Sequence, residues 1–119
     1  MDYTFPIELW QEVLDHADFL SQIRLTLVCK YFHQNLRVTD FTNINYTYLL
    51  TDDILKNYPF IIKLDAHDNM KIMNVNHMKY LKELDAGGYY CGIGDDGIAD
   101  CDLIKLNACG NDKIKKQKN

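Results

Sequence analysis

Apolar residues recur at helical spacing through the first third of the chain, residues 5–36. Leu9, Val13 and Ala17 are four residues apart, so they share one helix face, and Trp10 and Leu14 form a flanking row. The pattern predicts an amphipathic first helix with apolar residues on more than one side.

Two more short helices are predicted after it. Asp18 is placed to cap a second helix that carries Leu20 and Ile23. A third apolar stripe then follows a single helix face and consists of Leu25, Val28, Cys29, Phe32 and Leu36. A unit this small cannot bury its own apolar surface, so either the rest of the chain or a partner must cover it.

The hydrophobic pattern changes to an internal repeat after residue 60. Residues 61–66, 81–86 and 103–108 all follow the pattern L-x-x-L-[DN]-A, with starts 20 and 22 residues apart and isoleucine in place of the first leucine once. A weaker copy begins at Val38, with Phe41 in the second apolar position. Periods of 20–29 residues with this signature indicate leucine-rich repeats, each contributing one short strand to a parallel sheet.

The repeats predict which side chains face inward and which form the strand face. The inward set is Leu64, Leu84, Leu106, Ala66, Ala86 and Ala108. One outward row alternates in sign, which favours ion pairs between strands, and runs Lys63, Glu83, Lys105. The other outward row places two carboxylates side by side and runs Asp65, Asp85, Asn107. This face is either a solvated surface or a contact patch for a basic segment of a target, and these six residues are the candidate target-binding set.

Charge and composition exclude several functional classes. The net charge is −4, with all 17 acidic residues in 1–112 and four lysines in 113–119. An acidic body argues against a nucleic-acid groove. No apolar run is long enough for a membrane helix, and the first residues lack the features of a secretory signal. We therefore expect an intracellular protein with reduced thiols, cytoplasmic or nuclear, with no membrane or nucleic-acid partner.

Catalysis and metal binding are not expected. The candidates for zinc are His67, His77, Cys91, Cys101 and Cys109, but none of them form the closely spaced pairs typical of zinc sites. A cysteine–histidine hydrolase would need a local motif that is missing, and the glycines near residue 90 form neither a phosphate loop nor a dinucleotide fingerprint. We expect no enzyme activity and no cofactor.

The motif in residues 5–36 resembles the F-box family. The matching segments are Phe5-Pro6-Ile7-Glu8-Leu9, Val13-Leu14, Leu20 and Val28-Cys29-Lys30-Tyr31-Phe32, with Phe5 in place of the usual leucine and Phe32 in place of the commoner tryptophan. The resemblance implies binding to a Skp-type adaptor and through it to a cullin scaffold. The adaptor contacts it implies are Phe5, Pro6, Leu9, Val13, Leu20, Val28, Cys29 and Phe32.

The repeats and their connecting turns resemble the cysteine-containing leucine-rich subclass found in F-box proteins, with Cys91 one residue late for its position. The pairing of the two parts is similar to F-box proteins encoded by giant DNA viruses of amoebae. The expected fold class is α+β: a helical F-box at 1–40, a short repeat solenoid at 41–114 and a basic tail at 115–119. Two functions stay open, a ubiquitin-ligase adaptor that recruits an unknown protein target, and a scaffold or decoy that occupies the adaptor without delivering anything.

Overall fold

The computed structural model describes residues 7–28, 30–42 and 49–115, with the side chains of residues 30 and 31 outside the description. The chain forms two compact units, Met1–Val38 and Thr39–Asn119.

The first unit contains three short helices, as predicted, but the third apolar stripe does not lie on one helix: Leu25 lies in the second helix, Val28 follows it, and Leu36 follows the third. The three helices are α1 (Ile7–Asp15), α2 (Phe19–Thr26) and α3 (Lys30–Asn35). Asp18 caps α2 as expected, because its Oδ1 accepts a hydrogen bond of 2.9 Å from the Ser21 backbone N–H. Hydrogen bonds from the Ser21 side chain and backbone lower the pKa of the Asp18 carboxyl. Short helices gain much from such caps, since few of their terminal backbone groups have intrahelical partners.

Side-chain bonds to the backbone tie these helices together. Gln22 Nε2 donates to the carbonyls of Leu14 and Ala17, at 3.0 and 3.2 Å, and so satisfies the end of α1. Gln11 exchanges two bonds with Arg37, donating to its carbonyl at 2.9 Å and accepting from its N–H at 2.7 Å. These contacts fix α1 against α2 and against the segment that follows α3.

The second unit is built on a parallel sheet of four short strands. They are β1 (Asp40–Phe41), β2 (Lys63–Asp65), β3 (Glu83–Asp85) and β4 (Lys105–Asn107), in the spatial order β1-β2-β3-β4. The register pairs Leu64 with Leu84 and Leu84 with Leu106, as the repeats predict. Phe41 pairs with Leu64, which confirms the weaker copy in the sequence as the first strand.

Two short helical segments lie between strands at matching places. They are α4 (Asp52–Leu55) and a 3₁₀ helix (Asp95–Ile98), and each begins on an aspartate that accepts from a later turn. Asp52 accepts from the Met73 N–H at 3.2 Å, and Asp95 accepts from the Lys115 N–H at 3.0 Å. The same aspartate contact thus joins the first connecting segment to the second and the third to the segment after β4, whereas Asn76 links the second to the third, donating to the Asp96 carbonyl at 2.8 Å.

The inward positions form a continuous apolar core. The residues with almost no exposed surface include Ile61, Leu64, Ala66, Ile72, Leu81, Leu84, Ala86 and Ile93. Leu106 departs from the expected inward set because it is only partly buried. Its strand, β4, is the last in the sheet order, so no further strand covers its outer side within the described residues.

Two buried asparagines hold the turns that follow β2 and β4, and the sequence analysis did not single them out. Asn69 donates to the Leu50 carbonyl at 3.0 Å and accepts from the Ile72 N–H at 3.2 Å. Asn111 donates to the carbonyls of Ala86 and Ile93, at 2.7 and 2.9 Å. The signal was available, because both lie three residues after a repeat alanine. The middle repeat does not show the same spacing, because its turn is longer and leads to buried Cys91.

Candidate protein-docking surfaces

Helix α1 presents exposed apolar side chains on a face beside the one that carries its buried residue. Leu14 is fully buried, whereas Leu9 and Val13 are 42% and 50% exposed. These two residues line a shallow groove of about 430 Å³ together with Ala17, Glu12 and His16. All five positions follow the spacing of one helix face, so the groove runs along α1. An exposed apolar strip of this kind is typical of a protein-binding surface. We call it the α1 groove.

Further apolar side chains are exposed on and just after α2. Leu20 is exposed on α2, and Leu27 and Val28 are exposed immediately after it. Leu20 and Val28 are two of the adaptor contacts implied by the resemblance, although neither lines the α1 groove. Leu27 was missed, since it interrupts the stripe assigned to the third helix. It lies at the C-cap of α2, and its side chain is 66% exposed.

Phe32 does not belong to this exposed surface. It is 6% exposed, and its ring centroid lies 5.0 Å from that of Trp10. A side chain so covered stabilises the helical unit in the free chain and offers little area to a partner. Three other implied contacts, Phe5, Pro6 and Cys29, lie outside the described residues.

The first outward row of the sheet forms the expected ion pairs. Lys63 Nζ lies 3.6 Å from one carboxylate oxygen of Glu83, and Lys105 Nζ lies 3.9 Å from the other. The predicted pairing across strands is therefore confirmed. All three side chains are partly exposed, so each pair contributes at most about 1 kcal/mol of stability.

The second outward row terminates the strands. The side chains of Asp65, Asp85 and Asn107 each accept from the backbone N–H two residues further on, at 3.0, 2.9 and 3.0 Å. Such turns favour Asp or Asn for a local structural reason. The expected crowding of two carboxylates is relieved by these donors, and His67 Nδ1 also lies 3.5 Å from Asp85 Oδ1.

Two of the described cysteines, Cys91 and Cys101, carry thiols that burial affects. Burial is the largest influence on Cys91 and on Cys101, and it raises the pKa of both thiols. A raised pKa keeps a thiol protonated and unreactive at neutral pH. Across residues 7–28, 30–42 and 49–115, no three His, Cys, Asp or Glu side chains are grouped so as to hold a metal ion. No described helix is long and apolar enough to span a membrane.

Comparison with known protein families gives a match in the first part of the chain. Residues 4–41 match the model of the F-box domain, a span that includes the three helices and the whole of β1. F-box domains typically bind Skp-type adaptors in cullin complexes. Searches of curated proteins and of solved structures gave no match to this chain.

Proposed function

We propose that this protein is an F-box adaptor that binds a Skp-type subunit of a cullin-based ubiquitin ligase and recruits a protein target through its repeats. The observation that carries the proposal is the F-box match at residues 4–41, whose first helix leaves Leu9 and Val13 exposed along the α1 groove. A helical unit with an uncovered apolar strip gains free energy when a partner covers it.

The energetic argument rests on those two side chains. Fully burying a leucine or valine side chain is worth about 1.5–3 kcal/mol, and both are now roughly half exposed. Covering the rest of each would contribute on the order of 1 kcal/mol per residue. Leu20, Leu27 and Val28 offer further apolar area on the same unit.

The second unit supports a leucine-rich repeat assignment. Its strands recur in parallel with leucines in register, and buried Asn69 and Asn111 follow the strands where this repeat class carries Asn or Cys, while buried Cys91 lies later in its repeat, after a longer turn. In this proposal the polar strand face holds the target, with Lys63, Glu83 and Lys105 exposed enough to exchange their mutual ion pairs for contacts with it.

Binding of the full-length chain to a purified Skp-type adaptor tests the proposal by titration calorimetry. Leu9→Ala and Val13→Ala should each weaken binding by about ten-fold, equivalent to about 1.4 kcal/mol, with far-UV circular dichroism unchanged. Leu49→Ala is the matched control, because Leu49 is as exposed as these residues but belongs to the second unit. Absence of wild-type binding, or an equal loss in the control, would contradict the proposal.

Target recruitment requires its own test. A reconstituted ligase containing this chain should transfer ubiquitin to proteins that co-purify with it, and Glu83→Ala with Lys105→Ala should reduce that co-purification. A complex with the adaptor and cullin that recruits and modifies nothing would support a decoy instead.

A further inference from the structure

The last strand of the sheet borders a groove formed entirely within the second unit. The groove has a volume of about 360 Å³, and its apolar lining includes Ile98, Leu103, Ile104 and Leu106. Ile104 is 78% exposed, the highest value among the large apolar side chains described. We call this region the end groove.

The outer edge of β4 carries backbone groups that can form hydrogen bonds with one more extended segment. Within the sheet, the carbonyls of Ile62 and Lys82 accept hydrogen bonds from the N–H groups at the start of the third and fourth strands, respectively. The N–H of Ala86, at the end of β3, donates to the fourth strand. By the same register, the corresponding outward groups on β4 are the carbonyl of Ile104 and the N–H of Ala108. An extended segment placed there would receive the same hydrogen bonds that join the existing strands.

The polar lining of the end groove has one sign of charge. It consists of Asp95, Asp96 and Asp102, and among residues 7–28, 30–42 and 49–115 neither a lysine nor an arginine lines the groove. Lys82 reaches Asp102 at 3.8 Å, but both side chains retain much exposure. Carboxylates next to a partly enclosed apolar surface attract a segment that carries both basic and apolar residues.

We propose that the end groove binds an extended peptide segment of a partner protein, with alternating basic and apolar side chains, as an additional strand beside β4. The apolar residues cover Leu103, Ile104 and Leu106, and the basic residues lie near the three aspartates. A second copy of this chain, paired through the same edge, would be a different occupant, and sedimentation analysis distinguishes it. This inference does not depend on adaptor binding by the first unit.

Fluorescence anisotropy with the full-length chain provides the test. The probe is a short labelled peptide that alternates lysine with valine. One comparison peptide replaces lysine with glutamate, and another replaces valine with glycine. The lysine–valine peptide should bind saturably, and both comparison peptides should bind at least about ten-fold more weakly.

Matched variants locate the binding. Ile104→Lys should weaken binding at least about ten-fold, whereas Ile62→Lys should leave it within about two-fold. Ile62 is the equivalent residue of the second strand, away from the edge. In the same way, Asp96→Asn should weaken binding and Asp53→Asn, the equivalent change in α4, should not.

Three results of the peptide experiments would overturn the proposal, and sedimentation analysis supplies a fourth. They are no saturable binding of the lysine–valine peptide, an equal loss in the Ile62 and Ile104 variants, and equal affinity for the glutamate peptide. Sedimentation analysis tests whether a second copy of this chain occupies the end groove instead. A wild-type dimer that Ile104→Lys converts to a monomer would assign the end groove to self-association and reject a peptide partner.

Discussion

Replacing Asn69 with alanine should destabilise the second unit more than any ordinary surface substitution. Asn69 is 1% exposed, and within the described residues its side chain donates to one backbone carbonyl and accepts from two backbone N–H groups. Alanine would leave the carbonyl of Leu50 and the N–H of Ile72 without a partner in a buried position. The N–H of Lys71 would also lose its contact, but it lies close enough to solvent to be hydrated.

The expected magnitude follows from these groups. Each buried polar group left unpaired costs about 1–3 kcal/mol, so two of them cost roughly 2–6 kcal/mol. That is a large fraction of the about 5–15 kcal/mol by which folded proteins are stable. Asn74→Ala is the control, because Asn74 makes a similar 2.9 Å contact to the Asn76 N–H but is exposed. Its cost should be about 0.5 kcal/mol or less.

Urea unfolding followed by far-UV circular dichroism measures both variants. The midpoint should fall strongly for Asn69→Ala and little for Asn74→Ala, with the slope of free energy against urea concentration unchanged. Hydrogen exchange at the Ile72 amide should accelerate in the first variant. A loss below about 1 kcal/mol, or one equal to the control, would refute the view that buried asparagine contacts hold the turns.

Two further predictions concern backbone geometry and capping. Gly88→Ala should lower the free energy of unfolding by at least about 1–2 kcal/mol, because Gly88 has φ of 92° and a Cβ there would overlap the carboxylate of Asp68. Gly94→Ala is the control and should lower it less, because a Cβ at Gly94 would meet only an ordinary contact. Equal Tm values for the two variants would contradict this prediction. Asp18→Ala should lower the Tm of the first unit, since Ser21 loses its acceptor. The pKa of Asp18 is lowered on folding, so the carboxylate of Asp18 stabilises the fold above its unfolded pKa, and this stabilisation is lost as pH falls through its folded pKa. A Tm difference between wild type and Asp18→Ala that persists at low pH would contradict the capping role of the carboxylate.

The sequence was most informative where a pattern is repeated. The spacing of Leu64, Leu84 and Leu106 predicted the strand register correctly, since an inward residue in one repeat must align with its equivalent in the next. The alternating charges on the same strands predicted the ion pairs for a similar reason. Repetition thus allowed even the weak copy at Phe41 to be placed.

Other features depend on tertiary packing that a linear pattern does not encode. Phe32 matched a motif position, but its neighbour Trp10 covers it, so motif membership did not predict exposure. The row of Asp65 and Asp85 looked like a charged surface, whereas backbone N–H groups satisfy it locally. Leu106 is less buried than its equivalents because its strand lies at the edge.

Hydrogen–deuterium exchange on the full-length chain, alone and with a Skp-type adaptor, tests the central claim most directly. The proposed function predicts a stable complex in which peptides covering α1, including Leu9 and Val13, exchange more slowly than in the free chain. Peptides covering β2 and β3 should be unchanged. Failure to form a complex, or protection confined to the strands with none on α1, would contradict the account.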